Sequence, residues 1–158
     1  MGIKGKFDIN AIFKDLEARL RPLIIEAVTE AFEMACLEVV EQAKSLDTYQ
    51  DQTNQLRSSI GYQIYNQGVL VTEYFQESGK GDGSGSAQGV ARGKTVAAEA
   101  ARQYPDDVVG VIVAGAHYAL YVESKGYDVI SGPASQLKEI TSKYLRLAAE
   151  GLTEGGNV

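Results

Sequence analysis

The chain has few of the residues on which most small catalytic and metal sites depend. Its 158 residues include one histidine, one cysteine and no tryptophan. A single cysteine cannot form an internal disulfide, and a single histidine excludes a metal site built from several histidines. We interpret His117 as a turn residue and Cys36, between Ala35 and Leu37, as a small buried helix residue. We therefore expect no catalytic residue, no cofactor and no metal site.

Long apolar runs and an excess of positive charge are also missing. No stretch approaches the ~20 apolar residues that span a bilayer, and residues 1–10 show no signal-peptide pattern. The formal net charge is −6 and the isoelectric point is about 4.8. This balance disfavours the capture of nucleic acid or of an anionic membrane. We expect synthesis in the cytoplasm, no membrane partner and no sequence-specific nucleic acid.

One segment comes close to a phosphate-binding loop. Residues 89–95, GVARGKT, have three residues between the two glycines where the P-loop has four. The shorter spacing changes how many backbone amides can face a phosphate, and no later strand ends in an aspartate that would hold magnesium. We interpret the segment as a loop that leads into a helix. A nucleotide-dependent enzyme built on Gly93, Lys94 and Thr95 stays an alternative.

Two further candidates for catalysis lie close together in the sequence. Ser124, His117 and Asp128 are the residue types of a catalytic triad, but no G-x-S-x-G segment positions the serine. Glu123 has no second carboxylate fixed beside it for acid–base catalysis. We expect its carboxylate to accept backbone amides or to pair with a basic residue such as Arg57. Both candidates are therefore interpreted as structural.

A long amphipathic helix is predicted over residues 8–45. Apolar residues recur there at three- and four-residue steps, as on one helical face, and Asp8 can cap the first amides. Pro22 predicts a kink or the meeting of two helices. A continuous helix of this span measures ~55 Å at 1.5 Å per residue, which exceeds the diameter of a compact domain of this size. The helix therefore either projects from the body or bends at Pro22 and folds back on the sheet.

The rest of the chain alternates strands and helices around a glycine-rich segment. Alternating apolar residues predict a hairpin over 59–65 and 69–75, and the Gly/Ser-rich residues 78–89 are expected to form a mobile loop. The later elements are an alanine-rich helix from 89 or 90 to 104, a strand over 108–114, a helical turn over 118–123, a short strand over 127–130 and an amphipathic helix over 137–152.

These elements predict one domain, residues 1–158, of the α+β class. Its sheet is expected to be mainly antiparallel, with the alanine-rich middle helix and the C-terminal helix packed on it. Residues 153–158 are expected to fray.

Three short segments, taken in order, resemble a known protein family. Residues 53–60, TNQLRSSI, follow the first helix. A strand over 111–115 precedes YALYVE at 118–123, and a helix follows Pro133. This arrangement is similar to the tail-component family of tailed bacteriophages typified by the HK97 gp10-like proteins, over about residues 40–150.

The resemblance implies a non-enzymatic virion protein at the head-to-tail junction, in the neck or in tail completion. Such a protein would form a ring with copies of itself, between connector or adaptor proteins and tail-tube or tail-terminator proteins, and DNA would pass through the lumen. Ring closure requires two different faces on each subunit, and we expect residues 79–93 and the first helix to supply them. The alternative is a cytoplasmic adaptor that binds its partner through the long helix.

Overall fold

Helices cover both faces of a three-stranded sheet in this computed structural model, which describes residues 8–154. The predicted α+β class, with a long N-terminal helix and an antiparallel sheet, is confirmed. The elements in chain order are α1 (Ile9–Ser45), α2 (Gln55–Ser58), β1 (Ile60–Asn66), β2 (Val69–Phe75), α3 (Ser86–Ala101), β3 (Val108–Ala114), α4 (Ala119–Ser124), α5 (Ser131–Ser135) and α6 (Leu137–Glu154).

β1 is the central strand and pairs antiparallel with both of its neighbours in the order β2-β1-β3. The turn between β1 and β2 has two residues of positive φ, 49° at Gln67 and 76° at Gly68. This type I′ geometry matches the twist of the strands, and the predicted hairpin is confirmed. Opposite Ile64 and Tyr65 the register skips one residue of β2, so that Val71 is bulged and has no partner on β1.

The two faces of the sheet are covered by different helices. On one face, side chains of β1 pack in the main core with the C-terminal half of α1. On the other face α3 packs closely on the sheet, because a β-carbon on Gly93 of α3 would overlap the Phe75 ring of β2. A β-carbon on Gly61 of β1 would overlap the same ring. The β1 residues that face α1 are Ile60, Tyr62 and Ile64.

α3 can pack this tightly because its buried positions carry small residues at steps of three or four. At the end of β3, a β-carbon on Gly115 would lie 2.6 Å from the Cα of Gly93. That separation is well inside ordinary carbon contact distances, so both positions require glycine. The buried positions of α3 are Ser86, Gly89, Gly93, Ala97 and Ala101.

α1 is one continuous helix that runs through Pro22, so the alternative of two helices meeting there is wrong. Asp8 accepts hydrogen bonds from the amides of Asn10 and Ala11 at 3.1 and 3.2 Å, which caps its first turn. The C-terminal half of α1 packs on the sheet and on α6, and its buried residues are Ala31, Ala35, Cys36, Val39, Val40 and Ala43.

The other half of α1 leaves the body of the protein. Every residue from 8 to 24 is exposed, and this length corresponds to roughly 24 Å of helix at 1.5 Å per residue. The helix therefore projects and does not fold back on its own sheet. None of the helices within residues 8–154 is both long enough and apolar enough to cross a membrane.

The connection between β2 and α3 is bound to the segment before β1. The amides of Asp82 and Gly85 donate to the carbonyls of Gln52 and Thr53 at 2.9 and 2.8 Å. In addition, Ser78 is held from both sides, since its carbonyl accepts from Asn54 Nδ2 and its amide donates to Ser58 Oγ. Such bonds offset part of the entropy cost of ordering a Gly/Ser-rich loop. Its mobility stays a prediction.

Several predicted boundaries are wrong. α3 begins at Ser86, so that residues 86–89 are helical and do not belong to the loop predicted over 78–89, and the helix ends at Ala101. Residues 127–130 do not form a strand, because the Glu123 carboxylate accepts the amides of Val129 and Ile130, as described below. Of the tail expected to fray, residues 153 and 154 belong to α6, and residues 155–158 lie outside the described part.

Candidate interaction surface

The projecting half of α1 carries an apolar stripe that no other described part of the chain covers. Its large side chains are 44–64 % exposed, and at 100° per residue they lie within an arc of about 120°. The stripe continues towards Ala31, where the buried face of the helix begins. We call this surface the arm stripe, and its residues are Ile9, Ile12, Phe13, Leu16, Leu20, Leu23 and Ile24.

The arm stripe is larger than an ordinary apolar patch. At these exposures its seven side chains present roughly 700 Å² to water, whereas the largest patch of a typical monomer covers ~300–600 Å² and one side of a standard protein interface ~800 Å². The side chains of the arm stripe are bulky, while the fully buried positions in the C-terminal half of α1 carry alanine, cysteine and valine. The arm stripe therefore has the size and the residue types of a docking surface.

Charge is distributed unevenly along α1. Residues 9–24 contain three basic and two acidic side chains, a net charge of +1, and two of the basic side chains pair within the helix, Arg19 with Asp15 and Arg21 with Glu17. Residues 25–43 contain five glutamates and no basic residue, a net charge of −5. These glutamates are Glu26, Glu30, Glu33, Glu38 and Glu41.

A groove of about 560 Å³ lies where α1 leaves the sheet, between the helix and the end of the hairpin. Val71, the bulged residue of β2, lines it and is 51 % exposed. A bulge redirects a side chain relative to the regular strand. We call this surface the root groove. Its apolar lining comes from Pro22, Ile25 and Val71, and its charged lining from Glu26, Glu30, Glu33 and Arg21, a net charge of −2.

Arg57 lies in the interior, where it connects the end of α1 to the following segment. Its side chain is 3 % exposed. Nη1 donates to the carbonyl of Lys44 at 2.6 Å, and Nη2 donates to the carbonyl of Tyr49 at 3.3 Å and lies 3.6 Å from Asp47. The Lys44 carbonyl belongs to the last turn of α1, where a cation is favourable. Arg57 therefore stabilises this end of the helix, and of the two alternatives for Glu123, pairing with Arg57 is wrong.

Glu123 binds backbone amides, which is the first of the two alternatives that the sequence left open. Its Oε1 accepts from the amides of Val129, Ile130 and Ser131 at 3.3, 2.9 and 3.0 Å, and its Oε2 accepts from the Ser131 hydroxyl at 2.6 Å. Burial by itself would raise the pKa of Glu123, but the hydrogen bonds from Ser131 and the amides outweigh it and hold the pKa below its usual value. The carboxylate thus fixes the segment between α4 and α5.

The segment that resembles a phosphate-binding loop forms no phosphate cradle. Residues 89–95 lie inside α3, in agreement with the helix predicted from 89 or 90, and the loop that leads into this helix ends before Ser86. Amides inside a helix are bound to carbonyls of the preceding turn and cannot turn towards a ligand. Lys94 pairs with Glu73 of β2, and Thr95 Oγ1 donates to the Ala91 carbonyl at 3.0 Å.

The other residues considered for chemistry have structural contacts. His117 lies exposed in the turn between β3 and α4, edge-on to the Tyr118 ring. Ser124 Oγ donates to the Tyr121 carbonyl at 2.7 Å. Cys36 is buried, and this burial raises the pKa of its thiol to about 12. Within residues 8–154, no group of three or more histidine, cysteine, aspartate or glutamate side chains is arranged to hold a metal ion.

The sequence predicts a contact face on the first helix, and this stays a prediction, but it gives no sign of the root groove. The buried positions of α1 from Ala31 onwards carry small side chains, but Phe32, Met34 and Leu37 lie among them, so the sequence does not mark the boundary of the arm stripe. The groove depends on the bulge at Val71, for which the sequence gives no clear sign.

No known family, characterised protein or solved structure matched the chain in comparison.

Proposed function

We propose that this chain is a non-enzymatic structural subunit of a tailed bacteriophage or prophage, which assembles with copies of itself into a ring at the head-to-tail junction. The observation that carries the proposal is the arm stripe, an uncovered apolar face on a helix that projects from the body. Covering roughly 700 Å² at ~25 cal/mol per Å² gives a gross gain of about 17 kcal/mol. This exceeds most values for the cost of association, ~4–15 kcal/mol.

The location at the head-to-tail junction rests on the family resemblance. The three segments that carry it occupy defined places in the fold: residues 53–60 include α2 and the start of β1, residues 111–123 include most of β3 and α4, and Pro133 lies in α5 directly before α6. Such a subunit belongs to the neck or to tail completion, between connector or adaptor proteins and tail-tube or tail-terminator proteins. A net charge of −6 also suits a ring through which DNA passes. Cationic side chains would bind the DNA and slow its passage, and an acidic subunit offers few of them.

The proposal can be tested with one glutamate placed on either side of the arm. Leu16 belongs to the arm stripe and Ala18 lies on the opposite side of the same helix turn, and both are exposed. We expect the wild-type chain and Ala18→Glu to form closed oligomers in native mass spectrometry and light scattering, whereas Leu16→Glu stays monomeric. Circular dichroism should be unchanged in both variants, because neither side chain is buried in the subunit.

The role in the virion requires a second measurement. A phage whose gene carries Leu16→Glu should give heads that lack attached tails in electron micrographs, while Ala18→Glu should give normal particles. If wild-type protein is monomeric at high concentration and particles lacking it are fully infectious, the proposal is refuted and the adaptor alternative is favoured.

A further inference from the structure

We propose that the root groove of one copy receives the arm stripe of the next copy, so that the subunits join head to tail. This inference rests on the proposed function and specifies the receiving surface and the occupant of the arm. The occupant is a second copy of this chain, and the two contacting faces are different, as ring closure requires.

The continuity of α1 excludes that a chain fills its own groove. The arm and the helical side of the groove belong to the same helix, which runs without interruption from Ile9 to Ser45. Along the axis of α1, each residue from Pro22 towards Ile9 lies 1.5 Å further from the groove. The arm therefore points away from the groove of its own chain. The apolar side chains that would cover Ile25 and Val71 must come from another molecule.

The distribution of charge favours a head-to-tail contact over two arms that pair with each other. The arm, residues 9–24, has a net charge of +1. The groove is lined by Glu26, Glu30 and Glu33 and by Arg21 at the base of the arm, a net charge of −2. Seating an arm in the groove brings opposite net charges together. Pairing two arms would join segments of the same sign and would leave the acidic groove unoccupied.

The two surfaces also match in chemistry. The arm offers bulky aliphatic and aromatic side chains, and the groove offers a concave apolar lining that includes Val71, which is 51 % exposed. A projecting amphipathic helix in a hydrophobic groove is a recurrent mode of recognition. Val71 also has no partner on β1 to disturb, because it is the bulged residue.

Mixing two defective variants provides the test. Leu16→Glu has a damaged arm and an intact groove, whereas Val71→Glu has an intact arm and a damaged groove. We expect each variant alone to associate at least 100-fold more weakly than the wild type. An equimolar mixture should give one-to-one dimers that grow no further, because each dimer retains only damaged faces at its ends. Val69→Glu, the same substitution on an exposed residue outside the groove lining, should assemble as the wild type does.

Disulfide trapping provides a second test, which does not introduce a glutamate into the proposed contact. A chain with Leu16→Cys, mixed with a chain carrying Val71→Cys and oxidised, should give mainly the crosslinked heterodimer. The native Cys36 is buried and should stay out of the reaction.

Each other outcome overturns a defined part of the argument. If Val71→Glu assembles like the wild type and Leu16→Cys crosslinks to itself, two arms pair and the head-to-tail contact is refuted, while the proposed ring subunit must then close through other faces. If the wild type is monomeric but Leu16→Glu is lost from particles, the arm binds a different virion protein and self-pairing is refuted. If neither assembly nor incorporation depends on Leu16, the proposed function itself fails.

Discussion

Replacing Glu123 with glutamine should lower the free energy of unfolding by about 2 kcal/mol at neutral pH. Glutamine keeps one oxygen for the three amides but loses the charge, and its amide group can no longer accept from the Ser131 hydroxyl. A hydrogen bond to a charged group contributes ~1.5–3 kcal/mol and a neutral one ~0.5–1.5. The Val129 amide has no access to water, because Val129 is fully buried, whereas the exposed Ser131 can bond to water instead. The loss is therefore smaller than the sum over all four hydrogen bonds, and we expect about 2 kcal/mol.

This stabilisation should depend on pH with a defined sign. The pKa of Glu123 in the folded chain is lower than usual, because its hydrogen bonds outweigh the opposing effect of burial. The charge therefore contributes its full stability above the unfolded pKa of ~4.3, and the contribution is lost as the pH falls through the lower folded pKa. The difference between the wild type and Glu123→Gln should be constant near pH 7 and should shrink below about pH 4.

Urea denaturation at a series of pH values from 7 to about 3 measures this difference directly. Glu99→Gln is the matched control, since Glu99 is exposed on α3, and its effect should stay within about 0.5 kcal/mol. At neutral pH the thermal midpoint of Glu123→Gln should be lower by about 4–8 °C for a domain of this size. If the two glutamine variants are equally stable, or if the deficit of Glu123→Gln does not change with pH, the carboxylate does not hold the segment as described.

Two further predictions concern packing. Gly115→Ala should cost about 2 kcal/mol or more, because its β-carbon would lie 2.6 Å from the Cα of Gly93, whereas Gly151→Ala in α6, with nothing within 4 Å, should stabilise by about 0.5–1 kcal/mol. Equal thermal midpoints for the two alanine variants would contradict the close approach of α3. Cys36 should react with a chromogenic disulfide reagent only after unfolding, since burial raises the pKa of its thiol to about 12, and rapid labelling in native buffer would show that the core opens.

Periodicity in the sequence predicts those helices and strands in which tertiary packing favours the same conformation as the local sequence. α1, the hairpin and β3 follow directly from apolar spacing and from the turn at Gln67 and Gly68. The helical start of α3 does not follow from it, because Ser86 and Gly89 have low helix propensity. Packing decides there, since Gly89 lies against the backbone of Gln55, where a larger residue would not fit.

Residues 127–130 are a second case in which tertiary contacts override local preference, here by preventing a strand. Val129 and Ile130 are β-branched and favour a strand, but a strand needs a neighbour to accept its amides. Glu123 accepts them first, from the helical turn just before. The sequence suggested that this carboxylate takes amides, yet it could not tell which ones.

The candidate interaction surface was predictable only in part. An apolar stripe along α1 is visible in the spacing of its residues, but its exposure depends on where the sheet and α6 stop, which is set by tertiary structure. The root groove requires the hairpin to lie beside α1 and Val71 to be bulged. Neither condition can be derived from local patterns.

Pro22 stands where the covered and uncovered parts of α1 meet, and it provides no amide for the Ala18 carbonyl one turn earlier. The helix therefore has one hydrogen bond fewer at this turn, and bending costs less here than elsewhere along its length. In the proposed ring, a hinge at the base of the arm would let each subunit adjust its angle to the next without disturbing the folded body.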